Sequence, residues 1–260
     1  MIKIKKLIKQ NVQFLRNFKT FYKYGGNITV NVASIKYGSI FSDKRVVLIT
    51  GGTSGIGLAM CKRFLEEGAK VVIVGRDKNK LESVKKELQH NNLFIEEWDI
   101  ANLNHLNERI TRIERIVGDK IAIVVNNAGI YAQTQFPHCT EEDWENVYNI
   151  NAKATFFICQ EFCNRWMDEK ECNNVVKKII NISSQGGCVV ANNPYRMTKW
   201  DIRGLTKYLG SAYCKHGIIV NGIAPGFVMT NMQSSFQKQG DNLYTELNPI
   251  RRISLPIEVA

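Results

Sequence analysis

From Arg45 onward the chain alternates short, wholly apolar runs with longer amphipathic stretches, and no other feature restricts its fold so tightly. VVLIT at 46–50, KVVIV at 70–74 and IAIVV at 121–125 offer almost no polar face to water. Strands that are apolar on both sides must be covered on both, which is the situation of a parallel sheet between layers of helix. Further strand candidates fall at 93–97, 176–182 and 217–223, with helices over about 56–67, 78–89, 103–117, 141–168 and 195–215. Strand–helix alternation predicts right-handed crossovers and a doubly wound parallel sheet, a three-layer αβα architecture of the α/β class. Thr140-Glu141-Glu142-Asp143 reads as a capping box opening the fourth helix. We place one domain over 41–260 and an N-terminal arm over 1–40, with Gly25–Ser39 as its linker-like part.

Composition removes several function classes. The chain is 44% hydrophobic and 23% charged, which suits a sizeable core and excludes wholesale disorder. No apolar run approaches the roughly 20 residues of a spanning helix. The net charge of +11 suggests an anionic partner until its distribution is read. Lys3, Lys5, Lys6, Lys9, Arg16, Lys19 and Lys23 carry seven of those charges within residues 1–24, before the first acid at Asp43. Only +4 remains over the other 236 residues, so the domain has no nucleic-acid footprint. In the arm, Ile4, Leu7, Ile8, Val12, Phe14, Leu15, Phe18, Phe21 and Tyr22 recur at helical spacing among the lysines. Such a stripe docks on its own domain or a partner subunit, or lies on an anionic membrane surface as a peripheral contact. A transit peptide is a third reading, weakened by the excess of lysine over arginine. Seven scattered cysteines without a CxxC pair read as reduced thiols of a cytoplasmic protein, membrane-associated only if the arm makes it so. His90, His105, His138 and His216 lack metal-ligand spacing, and Cys159 and Cys163 sit one helical turn apart where packing explains them better than zinc.

Polar residues gather where the apolar strands end. Thr50-Gly51-Gly52-Thr53-Ser54-Gly55-Ile56-Gly57 joins the first strand to the first helix. Glycines there let backbone N–H groups approach a pyrophosphate at the positive end of the helix dipole, although three glycines in a turn are by themselves a weak signal. The second strand ends in Gly75-Arg76-Asp77. A carboxylate at this point binds the ribose hydroxyls of NAD, whereas arginine suits the extra phosphate of NADP. Gly75 holds the acid position with Arg76 beside it, favouring NADP(H); Asp77 keeps NAD(H) open, and a merely solvated Arg76 is the bland alternative. The fourth strand runs into Asn126-Asn127-Ala128-Gly129, and the fifth into Ser183-Ser184. Tyr195 and Lys199 lie four residues apart on one helix face. A nearby ammonium favours a phenolate and lowers its pKa from about 10 toward the working range. YxxxK alone is common by chance; its coincidence with the strand ends gives it weight.

These residues resemble the classical short-chain dehydrogenases/reductases from about Lys44 to the end. The similarity is carried by TGGTSGIG at 50–57, Asp99-Ile100, NNAG at 126–129, Asn151, Ser183-Ser184, YRMTK at 195–199 and IAPGFVMT at 223–230. It implies a Rossmann fold and an NAD(P)(H)-dependent oxidoreductase acting on a small-molecule carbonyl or secondary alcohol. Tyr195 is then the general acid, Lys199 its tuner and a holder of the nicotinamide ribose, Ser184 the carbonyl orienter ahead of Ser183, and Asn151 the holder of a relay water. Thr50, Gly51, Ser54, Gly55, Ile56 and Gly57 would cradle the pyrophosphate, with Asp99 and Ile100 at the adenine. Asn126, Ala128 and Gly129 would line the cofactor, and Pro225, Gly226, Val228 and Thr230 the nicotinamide amide.

The resemblance also implies a homodimer or homotetramer through the helix bearing Phe156, Phe157, Phe162 and Trp166, all four buried on one face. It implies a last helix and strand beyond Ala260, so that the domain reads as C-terminally truncated. The Ser184–Tyr195 spacing is slightly short, which alters the substrate loop Gln185–Pro194. Residues 227–248 form the variable substrate flap, with Phe227, Met229, Met232, Phe236 and Tyr244 offering apolar surface. A second class of function competes: a catalytically weak nucleotide-binding scaffold recruited by its arm.

Overall fold

Six wholly or largely apolar segments pair edge to edge because each needs cover on both faces. In the computed structural model, which describes residues 45–131, 134–169, 176–230, 232 and 248–260, they are β1 (Val46–Thr50), β2 (Lys70–Gly75), β3 (Leu93–Glu97), β4 (Ile121–Asn126), β5 (Lys177–Ile182) and β6 (Ile218–Ile223). All pair in parallel, in the order β3-β2-β1-β4-β5-β6. The helices between them are α1 (Gly55–Glu66), α2 (Lys78–Leu88), α3 (Leu106–Val117), α4 (Glu141–Tyr148), α5 (Ala154–Asp168) and α6 (Pro194–Tyr213). The expected doubly wound sheet is thus realised, with strand limits within one residue of those read from the sequence. The arm, with its proposed membrane or partner contact, falls outside the described residues.

Alternation along the strands divides the core into two slabs. Val46 and Leu48 face Ile110, Ile113, Ile158 and Phe162 from α3 and α5, whereas Val47 and Ile49 face Met60, Cys61, Leu65 and Leu81 from α1 and α2. Both slabs bury side chains completely, so neither face of the central strands meets water. β3 and β6 are the edge strands of the described sheet, and Ile219 and Ile223 on β6 are exposed. Residues 248–260 return toward the strand ends: Met229 N–H donates to the Ser254 carbonyl at 2.8 Å, Ser254 N–H donates to the Phe227 carbonyl at 2.9 Å, and Arg252 is clamped to Glu258 at 2.6 Å. A single 3-10 turn, Pro256–Glu258, packs there against α1.

The stretch expected as one helix over 141–168 is two α-helices joined by a π-helical segment, Asn149–Lys153. Only half of the expected capping box forms: the Thr140 hydroxyl accepts from Asp143 N at 3.1 Å, but the Asp143 carboxylate takes the Thr134 hydroxyl instead of the Thr140 backbone. The four aromatics of the second helix also divide. Phe162 and Trp166 are buried 5.2 Å apart in the core, while Phe156 and Phe157 are exposed, because α5 packs along one side only. Among the described residues no helix is long and apolar enough to cross a membrane, and no cluster could hold a metal.

Phe162, fully enclosed between the sheet and α3, sets the expected size of a core defect. Phe162→Ala should lower the free energy of unfolding by about 3–5 kcal/mol. Urea denaturation would show this as a reduced midpoint at unchanged slope; a loss below about 1 kcal/mol would contradict the packing described.

Candidate active site

Strand order reverses between β1 and β4, and outside their carboxyl ends the crossovers diverge and leave a crevice. A cleft of about 640 Å3 opens there, running from Arg76 and Asp99 past the glycine turn to Tyr195 and Lys199. Its floor is built by the turn after β1. The Thr50 hydroxyl accepts from the N–H groups of Asn127 and Ala128, both at 3.1 Å. In return the Asn127 amide donates to the carbonyls of Thr50 and Gly51 at 3.0 and 3.1 Å. The stapling brings the backbones so close that a Cβ on Gly57 would lie 2.3 Å from the Gly51 carbonyl oxygen. Gly51 and Gly55 have φ of +67° and +53°, a region that other residues enter at a penalty. Ser54 caps α1 in extended conformation with its hydroxyl unused by the helix, at the positive end of the dipole. A backbone cradle that any Cβ would fill fits a pyrophosphate.

Arg76 is exposed on the cleft wall beside Gly75. Asp77, the residue that kept NAD(H) open, is engaged as the cap of α2: it accepts from Lys80 N at 3.1 Å and faces the Lys80 ammonium at 3.7 Å. Asp99 and Ile100 line the cleft next to Trp98, whose backbone N–H donates to the Gly75 carbonyl at 2.9 Å. Ala128, Gly129, Pro225, Gly226, Val228 and Thr230 also line it, as do Met232, Thr53 and Tyr131. Phe236 and Tyr244 fall outside the described residues.

One expected position differs. Asn126 continues the alternation of β4 and points away from the cleft into the α5 side, where its amide donates to Asn181 Oδ1 at 2.9 Å and to Cys159. Its neighbour Asn127 is the cleft residue. Asn151, in the π-helical segment, is buried and uses its side chain as a clamp. It accepts from Ile130 N at 2.9 Å and donates to Ile130 O at 3.0 Å and Thr198 Oγ1 at 3.3 Å. Both amide hydrogens are committed, while the side-chain oxygen keeps one lone pair beyond the Ile130 bond; together these bonds hold the wall after β4 against α6.

The reactive end is set by α6. Asn193 caps that helix, accepting from Arg196 N at 2.9 Å, and Pro194 follows at its first turn. Ser183 is buried and donates to the Lys199 carbonyl at 2.8 Å, a fastening role. Ser184 instead turns its hydroxyl toward the cleft, where it accepts from Gly186 N and is hydrogen-bonded to the Tyr195 phenol. Lys199 is buried, its Nζ donating to the Ile182 carbonyl at 2.8 Å and lying 5.6 Å from the Tyr195 ring centre. The expected lowering of the phenol pKa by this ammonium is not what dominates. Burial pushes the Tyr195 phenol above its ordinary value, the Ser184 bond pulls it down, and the neighbouring Tyr131 pushes it up again. Burial likewise pulls Lys199 down to about 8. The site thus presents a protonated phenol, a hydroxyl and an amine at the end of a dinucleotide-shaped crevice.

This architecture is that of a dinucleotide-binding α/β protein with acid–base groups at one end of its cleft. The model of the short chain dehydrogenase family matches residues 45–241. A 3-oxoacyl-acyl-carrier-protein reductase of Aquifex aeolicus is 31% identical over 222 residues, covering 83% of this chain and 87% of that protein. A gluconate 5-dehydrogenase of Gluconobacter oxydans is 30% identical over 189 residues, 71% and 72% of the two chains. Among solved structures, a 3-ketoacyl-acyl-carrier-protein reductase of Brucella melitensis complexed with NADH superposes with a TM-score of 0.72 at 28% identity, covering 82% of this chain and 86% of that one. The chain belongs to the short-chain dehydrogenase family. It is an oxidoreductase that moves hydride between a nicotinamide dinucleotide and a carbonyl or alcohol group of a small molecule.

The buried Lys199 has a measurable consequence. A folded pKa of about 8 against 10.5 when exposed means that the unfolded chain holds the extra proton between these values. Stability should therefore rise with pH across that window, and below pH 8 the charged amine opposes folding by roughly 3 kcal/mol. Removing it also loses the bond to Ile182, about 1 kcal/mol. We expect Lys199→Met to raise Tm by roughly 4–8 °C at pH 7 and to lose that advantage by about pH 10.5. Thermal melts at both pH values decide; a lower Tm at pH 7 would show that the amine stabilises the fold.

Proposed function

We propose that the cleft reduces a ketone or aldehyde, or oxidises the corresponding secondary alcohol, with NADP(H) preferred. The observation that carries this reading is the convergence of the Tyr195 phenol, the Ser184 hydroxyl and the Lys199 amine at the end of the crevice that the glycine cradle opens. When bound, the nicotinamide supplies the hydride. Tyr195, kept protonated by burial, gives its proton to the carbonyl oxygen. Ser184 hydrogen-bonds that oxygen and stabilises the charge developing on it. Lys199 holds the ribose hydroxyls and reprotonates the phenol, and Asn151 fixes the wall between them through Ile130 and Thr198. Thr50, Gly51, Ser54, Gly55, Ile56 and Gly57 hold the pyrophosphate, with Asp99 and Ile100 at the adenine. Ala128, Gly129, Pro225, Gly226, Val228 and Thr230 enclose the remainder.

The coenzyme preference rests on this chain's own residues. A solved gluconate 5-dehydrogenase of Burkholderia cenocepacia, 26% identical with a TM-score of 0.72 over 83% of this chain and 84% of that one, carries NADP, whereas the Brucella reductase carries NADH. Here the strand end offers Gly75 and the guanidinium of Arg76, and Asp77 is occupied by its helix cap. A homodimer or homotetramer through α5 fits the exposure of Phe156 and Phe157. The scaffold alternative leaves the joint placement of phenol, hydroxyl and amine without a purpose.

Two measurements test the reading. Tyr195→Phe should lower kcat for NADPH-dependent ketone reduction by about 100-fold or more while the Kd for NADPH moves less than about 3-fold. Equal turnover by the two proteins would remove Tyr195 from the chemistry. Arg76→Ala should raise the KM for NADPH at least about 10-fold and leave that for NADH nearly unchanged, since a charge-assisted contact to phosphate is what disappears. A proportional change for both coenzymes would show that the guanidinium reads no phosphate.

A further inference from the structure

The loops that follow β4 and β5 are tied together above the reactive end of the cleft. Phe136 N–H donates to the Asn192 carbonyl at 2.9 Å, and the Asn192 amide donates to Gln135 Oε1 at 3.0 Å. The Asn193 amide donates to the phenol oxygen of Tyr131 at 3.1 Å. Asn193 is itself buried and caps the helix that carries Tyr195 and Lys199. One residue therefore starts the catalytic helix and holds Tyr131 by its hydroxyl.

Tyr131 lines the cleft with 48% of its surface open, and its ring stands 5.0 Å from the ring of Tyr195, tilted by 48°. We propose that Tyr131 is a specificity-determining residue: its tethered ring is a fixed aromatic wall beside the proton-donating phenol, and the cleft selects ketones that carry an aryl or conjugated group on the reacting carbonyl. The proposal rests on the carbonyl-reductase reading above.

Three physical points support the wall. The two rings stand at the separation and tilt of favourable aromatic pairs, so a third flat group entering beside the carbonyl extends an existing arrangement. The hydroxyl tether fixes the ring in advance, so little side-chain freedom is lost when a ligand packs on it. Met232 also lines the cleft and brings a polarizable thioether to it. A small saturated ketone would meet the same proton donor but leave the wall uncovered.

The test uses the full chain loaded with coenzyme and compares acetophenone with 2-butanone. The wild-type protein should favour acetophenone in kcat/KM. Tyr131→Ala should reduce the acetophenone-to-butanone ratio about 10-fold, and Tyr131→Phe should restore it to within about 3-fold of wild type. Unchanged NADPH affinity and circular dichroism would show that the cleft survives in both variants. No aryl preference in the wild type, or an equal loss for both ketones in Tyr131→Ala, would overturn the wall. So would Tyr131→Phe behaving like Tyr131→Ala, since the ring, which is the wall, is kept in that variant and only its tether is lost. Saturation-transfer NMR on the NADP+-loaded protein reads acetophenone binding without turnover. Binding that weakens in Tyr131→Ala while the wild type reduces neither ketone would keep the wall and sink the reductase reading. Turnover without selectivity would do the reverse.

Discussion

The Thr50 hydroxyl and the Asn127 amide hold the site together. Parallel strands that part company at their carboxyl ends would leave two loose crossovers, each with unsatisfied backbone groups. The exchange of bonds among Thr50, Gly51, Asn127 and Ala128 satisfies four of those groups and sets the distance between the turn after β1 and the loop after β4. Gly57 then has no room for a side chain, and α1 begins with its free N–H groups aimed into the cleft. The phosphate cradle is the geometric residue of closing two strand ends on each other, and the glycines are required because that closure is tight.

How much of this could be read from the sequence follows from which interactions are local. β1, β2 and β4 were legible because residues apolar on both faces leave only a covered sheet as a solution, whereas the strand order is seen only in the pairing. The pairing of Tyr195 with Lys199 was legible because four residues is one helical turn. The interruption of the long helix at Asn149–Lys153 was not, since a π-helical segment displaces the apolar stripe by one residue without breaking it. Asn126 and Asn127 could not be told apart by type; only the register of β4 against β5, which pairs Asn126 with Asn181, decides which amide faces the cleft. Register also divided the aromatics of α5, because a helix lying on one side of a sheet buries Phe162 and Trp166 and leaves Phe156 and Phe157 outside.

The charge states were hidden for a different reason. Sequence places an ammonium one turn from a phenol, and in water that neighbour would favour the phenolate. Inside the protein both groups are also desolvated, and desolvation opposes charge on each of them, raising the phenol and lowering the amine. Among the described residues Lys199 answers its burial with a single carbonyl acceptor, Ile182 O, although an ammonium has three protons to donate. A group so placed is poorly satisfied in isolation, and sites that store this kind of imbalance are commonly retained for what they bind.

The same imbalance sets the protonation state of the two groups. At neutral pH a phenol held above its ordinary value keeps its proton, and an amine near 8 keeps most of its own. Both groups are therefore loaded to give protons, which is what a carbonyl oxygen requires as it becomes an alkoxide. Taking a proton from an alcohol would first demand a phenolate in the place where burial disfavours it, with only the Ser184 bond and the amine 5.6 Å from the ring to compensate. Polar groups brought in by a ligand beside Lys199 would stabilise its charge, and the charged amine would then act on Tyr195 more strongly than in the free protein. A ligand bound beside Lys199 is thus part of the acid–base apparatus of the site.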